Sequence, residues 1–169
     1  MVSSTDPLHR EFQRVACHEL DRGLVKIEHC VDQLSDADVW SRATDQMNSV
    51  GNILLHLNGN LRQWIVSGVG GAPDVRQRPR EFAQRDPIPK SKLLADLRQT
   101  IDEAKAAIQR STGEDLLRNR HVQHDDVTGV FAAFSSINHF VGHVQEITYM
   151  TRMRLGEKYR FLGIGAGSV

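Results

Sequence analysis

The sequence predicts an all-α protein, a bundle of four long helices in a single domain that takes in residues 1–169. Three observations carry that prediction. Apolar side chains recur at helical spacing in four separate stretches. The last of these, Val127 to Thr151, is apolar or small on nearly every side, with Glu146 its only formally charged residue; a helix without a charged face is buried in the middle of a bundle or against a partner subunit. A chain of 169 residues, finally, buries about 70% of its unfolded surface, enough for a core that needs neither disulfides nor a structural metal.

The elements follow in order. Asp6-Pro7 pairs an N-cap side chain with a proline at the first helical position, and Leu8, Phe12, Val15, Leu20, Leu24, Ile27, Val31 and Leu34 extend an apolar stripe to about residue 34. Cys17 and Cys30 lie in this helix about 20 Å apart along its axis, too far for a bond within one chain, as expected in a reducing compartment. SDADVWSRATDQMNS forms the connection, with Trp40 expected to fold back as a hydrophobic plug. The second helix starts near Asn48-Ser49 and carries Val50, Ile53, Leu54, Leu57, Leu61, Trp64 and Ile65 on one face. His56 sits on its flank beside Asn52, Asn60 and Gln63, where amides replace charges.

Residues 68 to 89 hold three glycines in their first four positions and four prolines, so the stretch reads as loop. A connector of this length inside a compact domain tends to be functional. Its arginines, Arg76, Arg78, Arg80 and Arg85, either bind an anionic substrate group or pair with Asp74, Glu81 and Asp86 in a surface network. The third helix starts near Ser91, with Leu94, Leu97, Ile101, Ala104 and Ile108 in step, and ends around Ser111 to Gly113. TGEDLLRNRHVQHDD then reads as an exposed turn rather than a metal-binding loop, despite His121 and His124.

In the fourth helix Val130, Phe134, Ile137, Val141 and Val144 form one stripe, extended by Phe140 and Ile147. His139, His143 and Glu146 share a separate face with Ala132 and Ser136. Imidazoles at i and i+4 can point at one ion, and the small residues around them leave room for a ligand to approach. Phe131, Asn138, Gly142, Gln145 and Tyr149 form a further uncharged flank, which predicts a homodimer joined along this helix unless the C-terminal Phe161, Leu162 and Ile164 cover it.

Lys plus Arg equals Asp plus Glu at 21 each, with no long single-sign run, so there is no electrostatic footprint for nucleic acid or an anionic membrane. The N-terminus lacks an apolar signal core and no span is apolar enough to cross a bilayer, which leaves the cytoplasm as the expected location.

Three segments in order, NSVGNILLHLNGNLRQW, DVRQRPREF and INHFVGHVQEITYMTR, together resemble the DinB/YfiT-like superfamily of metalloenzymes. The likeness is strongest to the branch in which Asn-Ser precedes the second helix and Arg-x-Arg-x-x-Glu-Phe follows it. The resemblance implies a four-helix bundle of up-down-down-up topology with a long crossover between the second and third helices. It further implies that His56, His139 and His143 hold a divalent ion, nickel or zinc, in a dimeric enzyme that transfers or isomerises small-molecule substrates with a low-molecular-weight thiol. Glu146 is then a candidate catalytic acid or base and Arg76, Arg78 and Asn60 candidate substrate contacts. The branch usually shows Gly-Gln-Ile after the last histidine, whereas this chain has Gln145-Glu146-Ile147. The alternative is a dimeric bundle that binds a metal or small ligand without catalysis.

Overall fold

The computed structural model describes residues 6–163. Four long helices form the bundle: α1 (Pro7–Asp32), α3 (Val50–Leu61, prolonged by a π-helical segment, Arg62–Ser67), α5 (Lys90–Arg110) and α7 (Gly129–Leu155). Between them lie the short helices α2 (Asp36–Trp40), α4 (Arg78–Ala83) and α6 (Gly113–Leu117) and a hairpin of β1 (Asn119–Val122) and β2 (Asp125–Thr128). The helix starts follow side-chain chemistry: Asp6, Ser49 and Thr128 accept hydrogen bonds from the first free N–H groups of α1, α3 and α7.

Each long helix packs on two others, in the cyclic order α1, α5, α3, α7. Their directions follow from which residues meet. Gly23 faces Phe140 and Cys30 meets Thr148, so α1 and α7 run parallel. Lys105 reaches Asp21 and Arg98 reaches Glu28, so α5 runs against α1. Asn58 meets Thr100 and Arg62 meets Glu103, which sets α3 parallel to α5, while His56 meets His139 and Asn60 meets Ser136, which sets α3 against α7. The topology is therefore up-down-down-up, and the segment from α3 to α5 must cross the length of the bundle.

The core is built by Leu20, Ile27 and Val31 of α1, Ile53, Leu57 and Leu61 of α3, Leu97, Ile101 and Ile108 of α5 and Phe140, Val144 and Ile147 of α7. Trp40 closes one end. It lies flat against Gly51, where a Cβ would come within 2.8 Å of the indole, and its N–H donates to the Ile88 carbonyl at 2.9 Å.

Three expectations change. The crossover is not loop throughout, because Arg78–Ala83 closes a short helix held from outside by α3. The stretch after α6 is a hairpin with a two-residue turn, Gln123-His124. On α7, Phe134 points outward at 65% exposure and Val130 is also exposed, whereas Ala132, Ala133 and Ser136 face inward. Phe134 lies about 120° round the helix from Phe140, outside the arc that the bundle covers. Of the C-terminal residues, Phe161 packs edge-on to Tyr159 and under Arg152, so among the described residues the tail does not cover the α7 flank, and Ile164 lies outside the described residues.

Candidate metal centre

The antiparallel packing of α3 on α7 brings His56 beside His139 and His143. The potential ligand atoms of the three all lie within 4.8 Å of one another, and among the described residues they are the one such group of three. The rings stand nearly perpendicular to each other with centroids 4.5 to 5.3 Å apart. His56 Nε2 and His139 Nε2 are 2.9 Å apart. Two nitrogens bound to one ion at about 2.0–2.1 Å are separated by about 2.9 Å at a right angle and about 3.4 Å at a tetrahedral angle, so His56 and His139 already have the spacing of two ligands of one ion, with a His143 ligand atom within 4.8 Å of both.

Two carboxylates hold the rings from behind. His56 Nδ1–H donates to Glu81 Oε2 at 2.9 Å and His143 Nδ1–H donates to Glu146 Oε2 at 2.6 Å, which leaves Nε2 of each ring as the lone-pair nitrogen. Glu81 comes from α4, and the crossover delivers it. Its other oxygen accepts from Arg76 Nε at 2.7 Å, Arg76 Nη1 donates to Gln63 at 2.9 Å, and Gln63 donates on to Asp74 at 2.8 Å. The backbone is fixed as well, since Asn52 Nδ2 donates to the Glu81 carbonyl at 2.8 Å while its own Oδ1 accepts from Arg42 and Ser49. A helical glycine makes room for this: a Cβ at Gly59 would collide with Glu81 Oε1. Glu81 was legible as an acid for the crossover arginines, a pairing realised with Arg76 but buried rather than on the surface, and nothing in spacing tied it to His56.

Burial pushes the Glu81 carboxyl up, but hydrogen bonds from Arg76 and His56 outweigh that and hold it below the ordinary glutamate value. His139 shifts strongly. Burial first, then the neighbouring His143, His56, Arg76 and Arg78, push its imidazole down to about 4. At neutral pH it is therefore the neutral imidazole rather than the imidazolium, so it adds no positive charge to oppose an incoming cation.

The other sequence candidates divide. Arg76 is 3% exposed at its side chain and committed to Glu81, so it serves the buried ion pair. Arg78 stays exposed, its guanidinium 5.1 Å from the Phe82 ring centroid. Asn60 accepts from Ser136 at 2.8 Å. His121 pairs with Asp126 on the exposed hairpin, away from the trio. A cavity of about 370 Å³ opens beside His56 and His139, walled by Asn60, Trp64, Arg78, Gln123 and Ser135 among others.

A crossed-over four-helix bundle with three clustered histidines from its second and fourth long helices defines the class by its fold, which is DinB-like. The chain belongs to the family described as Protein of unknown function (DUF1572), whose model matches residues 8–168. Two solved structures share the fold. A conserved protein from Enterococcus faecalis superposes with a TM-score of 0.68 at 18% identity, covering 85% of this chain and 96% of its own. A DinB-like protein, YjoA, from Bacillus subtilis superposes with a TM-score of 0.63 at 14% identity, covering 88% of this chain and 96% of its own. No curated protein matches the sequence.

Proposed function

We propose that this protein is a divalent-metal-dependent enzyme that transfers or isomerises a small substrate with a low-molecular-weight thiol, using His56, His139 and His143 as metal ligands. The observation that carries the reading is the trio itself, with Nδ1 of two rings tied back by Glu81 and Glu146 and Nε2 of His56 turned to His139. Nickel and zinc both suit imidazole donors. A divalent ion held by three neutral imidazoles keeps at least one position open for water or thiolate, and it ionises a bound thiol at neutral pH.

The chain supplies the rest. The buried Glu81 carboxylate, itself held by Arg76, accepts from His56 Nδ1 and keeps the ring in one orientation. Glu146 is half-exposed at the rim, and its Oε1 has no partner among the described residues, so it orients His143 and offers an oxygen to take a proton from an arriving thiol. No described helix is long and apolar enough to cross a membrane, and both cysteines are free and buried. The free cysteines suit a reducing compartment such as the cytoplasm, and the uncharged flank of α7 suits a homodimer.

The test is turnover of electrophiles such as epoxides and chlorinated aromatics with a panel of thiols. A rate that needs both the ion and the thiol supports the enzyme; binding of the ion without metal-dependent turnover across the panel reduces the protein to a ligand-binding module.

A further inference from the structure

We propose that the cavity beside the histidine trio binds the carboxylate of a small substrate, with Arg78 as its cationic partner. The wall is the evidence. No aspartate or glutamate lines this cavity, although the chain carries as many acids as bases. Arg76, on the same wall, is neutralised by Glu81, but Arg78 has no carboxylate partner among the described residues. Its planar head lies over the Phe82 ring, which holds a long side chain in place without using its N–H groups.

The neighbouring polar groups point to the same ligand chemistry. Asn60 and Trp64 are each more than nine-tenths buried and line the cavity. Ser136 occupies Asn60 Oδ1, while Asn60 Nδ2 and the Trp64 indole N–H have no hydrogen-bond partner among the described residues. Ser135 adds a half-exposed hydroxyl. Away from the histidines, the unused groups of this wall are thus two neutral N–H donors, the Gln123 amide, a hydroxyl and a guanidinium, a set rich in donors with one positive charge and no negative one, which matches an anionic oxygen acceptor better than a purely apolar molecule. His56 and His139 line the same cavity, so an acid bound to Arg78 lies beside the trio.

This assignment rests on the trio as the reactive centre for its role in turnover, but the carboxylate preference stands independently of the ion. The carboxylate can belong to the thiol or to its electrophilic partner. Titration of the full chain, metal-free and metal-loaded, with 3-mercaptopropionate and with its neutral amide, followed by ¹H–¹⁵N NMR, separates these points. The Trp64 indole and Asn60 side-chain signals should shift and saturate at about tenfold lower concentration for the acid, the size of one charge-assisted hydrogen bond. Succinate, which has no thiol, should compete if the pocket reads the carboxylate alone. Arg78→Ala should remove the preference, and Ser135→Asp, at a position exposed enough to tolerate it, should reverse it. Equal saturation by acid and amide in the metal-free protein overturns the proposal, as does a preference that survives both substitutions. Failure to take up an ion, with the preference intact, counts against the metal centre alone.

Discussion

At the scale of single residues, Glu81 decides whether His56 faces the centre. Removing a carboxylate that fixes a ligating histidine weakens metal binding by about 10–100-fold, so Glu81→Gln should raise the dissociation constant for zinc or nickel by that amount in a competition titration. Glu81→Ala should also cost about 3 kcal/mol of stability, because Arg76 would be left buried without its partner. Gly59→Ala sets two effects against each other. Alanine improves helix propensity by about 1 kcal/mol, but its Cβ must displace the Glu81 carboxylate and break a buried ion pair, which is the larger effect. The variant should therefore be less stable than the wild type by chemical denaturation; a gain in stability would show that Glu81 is free to move. His139 and Glu81 together give the metal-free protein a defined pH dependence. A histidine at about 4 in the folded chain takes its proton first when unfolded, near 6.5, so its stability contribution is whole above 6.5 and is lost as the pH falls toward 4. The lowered Glu81 carboxyl adds a loss in the same direction below its ordinary value of 4.5. The urea midpoint of the metal-free protein should fall between pH 7 and pH 5, and a flat profile would contradict the depressed His139.

At the scale of elements, the four long helices were legible because apolar residues recur in each over many turns, and three of them, α1, α3 and α7, start at a side-chain cap, whereas α5 starts behind Pro89 without one. The exceptions are short and polar. Helix α4 spans six residues with a proline in its first turn and has no stripe of its own; Asn52 and Gly59 of α3 hold it in place, a tertiary cause that periodicity does not record. The strands NRHV and DDVT alternate too weakly to announce a hairpin. The π-helical segment lets Gln63, Trp64 and Ile65 be buried in succession, and one widened turn leaves no periodic trace. His56, His139 and His143 were readable as ligands through the resemblance, because their meeting depends on the antiparallel run of α3 against α7. The hairpin also holds Gln123 at φ 61°, a region that glycine enters without steric cost. Gln123→Gly should stabilise the protein by up to about 1 kcal/mol, measured as a shift of the denaturation midpoint, and a loss would show that the Gln123 side chain contributes more than its backbone costs.

At the scale of the whole molecule, the bundle core and the metal centre are separable. The core side chains are aliphatic or aromatic and the trio sits at its edge, so removal of the ion should lower the melting temperature by binding linkage without unfolding the chain. The outer face of α7 exposes Phe131, Phe134 and Tyr149, and among the described residues no atom lies within contact of a Cβ at Gly142, so a second copy can approach this flank closely. Light scattering at micromolar concentration should give twice the 19.0 kDa of one chain, with Phe134→Glu shifting the mass toward the monomer. A wild-type mass that stays at one chain as concentration rises would refute the dimer. The most direct test of the central claim is the metal content of gently purified protein, by elemental analysis, beside single alanine variants. Wild type, His121→Ala and His124→Ala should carry a divalent ion, and His56→Ala, His139→Ala and His143→Ala should lose most of it while staying folded. Equal metal content in all of them, or loss from the hairpin variants alone, would contradict the trio as the metal centre.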